Sequence, residues 1–237
     1  MFAMIFNKLF ERKKNIALLV DPDKVDIDSI KLLSEPDIKN KLSAVFVGGS
    51  LVFNETKQIT KQIKEISGLP TVLFPGSLLQ INPEVDAILF LSLISGRNPE
   101  FLIGQHVVAA PLIKRYGIET IPTGYMLFDC GNINSVRYMS NTLPIPNDKP
   151  DIAVATALAG EMLGLKALYL EAGSGASSPV SIEIIRAVRD AVTIPLIVGG
   201  GLRSVNQINS VFEAGANLVV IGTVFEQNRE FLSELEV

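Results

Sequence analysis

The chain has 237 residues, 48% of them hydrophobic, with a formal net charge of −4 and a pI ≈ 5.2. That length suits one large domain with its own core, and the acidic balance excludes the basic footprint of a nucleic-acid-binding protein. One cysteine, Cys130, and one histidine, His106, exclude a disulfide framework, a cysteine zinc site and a multi-histidine metal centre, and fit a reducing, cytoplasmic compartment. The opening MFAMIFNKLFERKKN runs apolar then basic, the wrong order for a secretory signal, and no apolar run is long enough to span a bilayer, so no stable membrane insertion is expected.

Short apolar segments alternate with amphipathic ones along the chain. IALLVDP (Ile16–Pro22) reads as a buried strand ended by turn residues. AVFVGGS (Ala44–Ser50), TVLFPGS (Thr71–Ser77) and AILFLSLIS (Ala87–Ser95) repeat the form. So do GYMLFDCG (Gly124–Gly131), ALYLEAGSG (Ala167–Gly175), PLIVGGG (Pro195–Gly201) and NLVVIGT (Asn217–Thr223). Continuous rather than alternating apolar runs suit parallel strands covered on both faces. Between them, Glu55–Ser67 places Ile59, Ile63 and Ile66 on one helical face, and Ser181–Val192 and Ser204–Ala216 begin with serine caps. Eight strand–helix units in a chain of this length predict a (β/α)8 TIM barrel over residues 1–237. An open doubly wound sheet is the competing architecture. Gly76–Asp86 lacks helical periodicity, so the third helix is expected to be missing or reduced to a turn. The Pro-rich Asn141–Asp151 reads as a long loop suited to a lid or an oligomer contact.

The chemistry concentrates where strands end. In such barrels the active site lies at the C-terminal strand ends, and loops seven and eight often hold a phosphate. Gly199–Gly201 ends the seventh strand, Gly222–Thr223 the eighth, and Gly173, Ser174 and Gly175 the sixth. Glycines there let backbone N–H groups approach phosphate oxygens closely; simple tight turns are the alternative. Asp21 and Asp23 in LLVDPDK are hard oxygen ligands suited to Mg2+, and Ser50 ends the neighbouring strand. An Asx turn is the other reading of that Asp-Pro. Tyr169 and Glu171 share one face of their strand, and Glu171 is placed to accept a proton from a substrate hydroxyl. His106 reads as a structural histidine in a helix over Pro99–Tyr116, and Cys130 as a small hydrophobe.

LLVDPDK, FVGGS, LFPGS, GQHVVAAP, TGYMLFDCG, YLEAGSGA, LIVGGGLRS and VVIGT, in this order, resemble the geranylgeranylglyceryl phosphate synthase family, which includes the bacterial heptaprenylglyceryl phosphate synthases. The resemblance runs from about Ala17 to Phe225, and Cys130 departs from it where a proline is expected. It implies a TIM barrel with the third helix replaced. It also implies transfer of a prenyl group, geranylgeranyl by preference, from its diphosphate to the 3-hydroxyl of sn-glycerol 1-phosphate. By motif it places glycerol phosphate on Tyr169, Leu170, Glu171, Ala172, Gly173, Ser174, Gly175, Gly200, Gly201, Gly222 and Thr223. It places Mg2+ and diphosphate on Asp21 and Ser50, and makes Glu171 the base with Tyr169 beside it. Pro75–Ile81 and Ile88–Gly96 are the implied prenyl groove, and a dimer or hexamer is the implied assembly. A sugar-phosphate isomerase or aldolase remains an alternative reading, as does a non-catalytic barrel that binds a phosphorylated metabolite. No strand interior carries the lysine that an aldolase requires.

Overall fold

In the computed structural model, residues 4–131 and 135–235 are described. Eight strands form the barrel: β1 (Asn15–Val20), β2 (Ala44–Val47), β3 (Thr71–Leu73), β4 (Ala87–Leu93), β5 (Glu119–Asp129), β6 (Ala167–Glu171), β7 (Leu196–Gly199) and β8 (Leu218–Ile221). All pairings are parallel, in the order β4-β3-β2-β1-β8-β7-β6-β5. The pairing of β4 with β5, from Ala87↔Glu119 to Leu93↔Tyr125, closes the ring. The chain is therefore the closed barrel and not the open sheet.

Two apolar layers follow from the strand period. Inward side chains, among them Ala17, Phe46, Leu89, Leu127, Tyr169 and Val220, fill the barrel. Outward ones, among them Leu18, Val45, Leu168, Leu170 and Val198, pack under the helices. An N-terminal helix (Met4–Leu9) plugs the lower end, with Ile5 and Leu9 buried in the barrel interior. The first strand position of β5 holds it there, since the Glu119 carboxylate accepts from the N–H groups of Ile5 and Phe6, each at 2.9 Å. The apolar-then-basic pattern of this segment does not by itself reveal the plug, which depends on the distant Glu119.

The helix between β2 and β3 spans Thr56–Ser67 and buries Ile63. The serine caps are present: Ser181 Oγ accepts from Ile184 N, and Ser204 Oγ from Gln207 N. Between β3 and β4 the only helical piece is one 3-10 turn, Leu78–Gln80. The outer ring is therefore incomplete at that position. Between β4 and β5 a π-turn (Glu100–Gly104) runs into a helix over Gln105–Tyr116. The Pro-rich segment corrects the lid expectation. Ile145–Pro146 pairs with Phe128–Asp129 at the end of β5, Asn147 bonds Ser181 N and Pro179 O, and a helix starts at Pro150. Proline at the first helical position explains that start. Among the described residues no helix is long and apolar enough to cross a membrane.

Leu9 is fully buried in the plug. Leu9→Ala is expected to destabilise the chain by about 2–5 kcal/mol, read from the urea unfolding midpoint; an unchanged midpoint would show that the plug is not coupled to the barrel.

Candidate active site

Upper strand ends converge on one cavity of ≈ 430 Å³. Its polar end is walled by Asp21, Ser50, Ser174, Gly200, Gly201, Gly222 and Thr223; its apolar end runs past Leu78, Ile81, Ile88, Phe90, Phe101 and Met139. Gly200, Gly201 and Gly222, the carboxylates Asp21 and Glu171, and much of the predicted apolar groove thus share one space. The β6 and β8 loops meet across the mouth, with Ser174 Oγ 3.5 Å from Thr223 Oγ1.

Glu171 ends β6 and is buried. Its Oε1 accepts from Gly173 N at 2.5 Å. Below it lies an aromatic floor: Tyr169 stacks on Phe74 at 5.1 Å between centroids and meets Tyr125 at 5.3 Å. Burial pushes the Glu171 carboxyl up to about 7, against the pull of the Gly173 N–H and the Tyr125 and Tyr169 hydroxyls, which hydrogen-bond its charged form. Burial also raises both tyrosines well above their ordinary value, with the Glu171 charge adding to it, so they remain protonated donors. Tyr125 carried no role in the sequence reading. The β5–β6 register, Tyr125↔Tyr169, brings it to Glu171, and a single sequence does not print that register.

The three consecutive glycines have structural duties that the phosphate reading alone did not supply. A Cβ on Gly199 would collide with the Tyr169 hydroxyl. Gly200 has φ +83°, and a Cβ there would stand 2.5 Å from Glu171 Oε1 and 2.7 Å from Gly173 N. Gly201, at φ +70°, passes under the backbone of Ser178 and Pro179. The run therefore admits the tyrosine and the carboxylate while leaving Gly200 and Gly201 on the cavity wall.

Other expectations divide. Tyr169, Glu171, Ser174, Gly200, Gly201, Gly222 and Thr223 line the cavity. Leu170 is not among the lining residues: strand alternation turns its side chain outward into the core under the helices. Ala172 packs in that same layer, Gly173 spends its N–H on Glu171, and Gly175 turns the loop at φ +72°. Asp21 lines the cavity, as does Ser50. Its Oδ1 accepts from Asp23 N at 3.0 Å, so the Asx turn is real, and its Oδ2 pairs with Lys24 Nζ at 3.1 Å. Lys24 reaches Glu226 as well, at 3.4 Å. Burial opposes the Lys24 charge, but the two carboxylates outweigh it and raise its pKa. Asp23 is turned away: its carboxylate accepts from Phe53 N at 2.9 Å and Asn54 N at 2.7 Å.

Among the described residues no three His, Cys, Asp or Glu side chains cluster as a closed metal site. Asp21 and Ser50, both on the wall of this cavity, are oxygen donors of the kind that suit Mg2+, which takes few protein ligands and completes its shell with water and substrate phosphates. His106 sits at the apolar end, edge-on to Phe90 at 4.4 Å, with Nε2 3.4 Å from Ser92 Oγ. Burial lowers its pKa, which favours the neutral ring. Burial pushes the Cys130 thiol up to about 12, which leaves it inert.

These features define a (β/α)8 barrel with a glycine-rimmed mouth, a buried carboxylate at its base and an apolar extension. The PcrB family model matches residues 8–236, and the chain belongs to the PcrB family. A geranylgeranylglyceryl phosphate synthase of Spirosoma linguale is 50% identical over 94% of this chain and 90% of its own. One from Chitinophaga pinensis is 45% identical over 99% and 95%. The crystal structure of (S)-3-O-geranylgeranylglyceryl phosphate synthase from Thermoplasma acidophilum, in complex with sn-glycerol-1-phosphate, superposes with a TM-score of 0.89 at 30% identity, covering 98% of this chain and 96% of that one.

The raised Glu171 pKa makes stability depend on pH. Folded chains hold this proton more tightly than unfolded ones, so stability is lost as pH rises from about 4.5 through about 7. Glu171→Gln is therefore expected to be more stable than the native chain at about pH 8, by up to about 3 kcal/mol, with the gap closing towards about pH 5. Urea midpoints that differ equally at both pH values would refute the assignment.

Proposed function

We propose that this chain is a prenyltransferase that joins a prenyl diphosphate, geranylgeranyl by preference, to the 3-hydroxyl of sn-glycerol 1-phosphate. The observation that carries the reading is Glu171: a buried carboxylate with its pKa near 7, at the junction of a glycine-rimmed polar pocket and an apolar groove. A carboxyl that burial raises toward neutrality is a stronger base than an exposed one, which suits a general base.

The glycerol phosphate is held at Ser174, Gly200, Gly201, Gly222 and Thr223. Glycines at φ +83° and +70° present backbone to a phosphate with no side chain in the way. The prenyl chain lies along Ile81, Ile88 and Phe90. Asp21 and Ser50 would hold Mg2+, which, when bound, offsets charge on the leaving diphosphate. Lys24 places a further cation at the same wall. Glu171 takes the proton of the 3-hydroxyl as the oxygen–carbon bond forms and the bond from carbon to diphosphate breaks. Its charge also favours cationic character at the allylic carbon. Tyr125 and Tyr169, both protonated, orient the carboxylate by hydrogen bonds. Fixing both substrates in one cavity removes much of the entropic barrier.

A sugar-phosphate isomerase requires no apolar groove, and a silent binding barrel requires no carboxylate held near neutrality, so both readings are less well supported. The chain is further read as a cytoplasmic homo-oligomer, a dimer or hexamer. Ile103 and Val107, exposed one turn apart, are the kind of surface that self-association covers.

Incubation with Mg2+, labelled sn-glycerol 1-phosphate and geranylgeranyl, farnesyl or heptaprenyl diphosphate is expected to yield prenylated product, with none from sn-glycerol 3-phosphate. No product in any tube, with phosphate still bound, would favour the alternatives. Glu171→Gln should retain glycerol phosphate binding and lose about 10²–10⁴-fold in turnover; native rates would remove the base role. Tyr125→Phe deletes a hydrogen bond that lowers the Glu171 pKa. The acid limb of its kcat profile is expected to move to higher pH, and an unmoved limb would separate Tyr125 from the base.

A further inference from the structure

The barrel is open on one side. Where a third helix would stand, only the turn Leu78–Gln80 lies between the helices Thr56–Ser67 and Gln105–Tyr116. Leu78 on that turn faces the cavity, as does Leu51 on the β2 loop. Their neighbours face the other way: Leu79 is 95% exposed and Phe53 84%, and Leu51 itself is 55% exposed. Single exposed apolar residues are ordinary, but here three sit on two adjoining loops at the mouth of an apolar groove.

Those loops are tied together by hydrogen bonds. Gln80 Nε2 donates to Gly49 O at 2.8 Å, and its Oε1 accepts from Gly76 N at 3.2 Å. Thr56 Oγ1 donates to Gln80 O at 3.0 Å. The β2 and β3 loops are thereby laced together. On the other side, Asp23 binds the backbone of Phe53 and Asn54 and ties the same loop to the end of β1. An acidic side chain and a glutamine are thus employed to hold bulky apolar groups out in water.

We propose that this rim, Leu51, Phe53 and Leu79, is a lipid-bilayer docking surface, through which the prenyl chain passes between the acyl layer and the groove. The inference rests on the prenyltransferase reading, because only a lipid-like substrate requires such a path. A prenyl chain carried through water would expose its whole apolar surface, and a continuous apolar passage avoids that. The occupant follows from the same continuity. A second copy of the chain seated on Phe53 and Leu79 would cover the mouth that Leu51 and Leu78 line. A bilayer covers the rim and supplies the chain at once. Binding is by shallow insertion of a few side chains, not by charge, since the chain is net negative.

The chain contains no tryptophan, so one introduced at the rim is a clean reporter. The full-length Phe53→Trp variant, titrated with phosphatidylcholine vesicles, is expected to shift its emission to the blue and to be quenched by lipids brominated along the acyl chain. Leu79→Trp should behave alike. Met162→Trp, exposed at the C-terminal end of the Pro150–Met162 helix and so at the opposite end of the barrel, should not respond. An emission unchanged by vesicles at both rim positions would overturn the proposal. So would a blue shift driven by protein concentration alone, which would assign the face to a second copy. The double variant Phe53→Ser/Leu79→Ser is expected to float with vesicles about tenfold more weakly. It should lose turnover of geranylgeranyl diphosphate embedded in vesicles while keeping that of water-soluble geranyl diphosphate. Equal loss on both substrates would reduce the rim to a structural element. Failure of the native chain on both substrates would instead refute the prenyltransferase reading, and the tryptophan measurement would still decide the docking surface.

Discussion

Glu171 carries a carboxylate that is almost without access to water, and its surroundings are arranged around that fact. Burying such a group costs several kcal/mol unless hydrogen bonds replace the lost water, on the order of the range known for ionised groups. The Gly173 N–H and the Tyr125 and Tyr169 hydroxyls provide the replacement. Those partners in turn dictate backbone nearby. Gly199 has no side chain because Tyr169 occupies the space, and Gly200 has none because the carboxylate does. The pKa that results, near 7, is the compromise between desolvation and those bonds.

The barrel serves this arrangement by fixing register. β6 is held between β5 and β7, so Tyr169 stands beside Tyr125 on one side and Ile197 on the other, and Glu171 stands beside Gly199. A shift of one residue would turn Tyr169 and Glu171 into the outer layer, where Leu168 and Leu170 now pack. The N-terminal plug closes the other end of the same interior. The cavity lies at the upper strand ends and reaches Leu78 and Ile81 on the side where the third helix is absent. Polar chemistry is confined to the upper rim, and the apolar groove follows the gap.

Much of this was legible along the chain. Apolar runs ending in glycine or proline marked the eight strands, and the missing periodicity in Gly76–Asp86 marked the absent helix, because both are local properties of period and turn chemistry. Serine caps did the same for two helices. The strand-end carboxylates and glycines were legible because a barrel brings all C-terminal strand ends to one rim. That Tyr169 and Glu171 share a face followed from strand alternation; their roles came with the family resemblance.

Other features depended on tertiary structure, for reasons of the same kind. Tyr125 joins Glu171 only through the β5–β6 register, which pairs residues 44 apart. Asp21 and Asp23 are two positions apart and look equivalent in sequence, yet Asp21 faces the cavity while Asp23 anchors a neighbouring loop. The N-terminal helix became a plug because Glu119, more than a hundred residues away, receives its first N–H groups. The role of Gly199 depends on the Tyr169 ring from another strand. Sequence determined the elements and the chemistry available at their ends, since these rest on local pattern. Which groups meet, and which carboxylate is buried, was decided by contacts between distant segments.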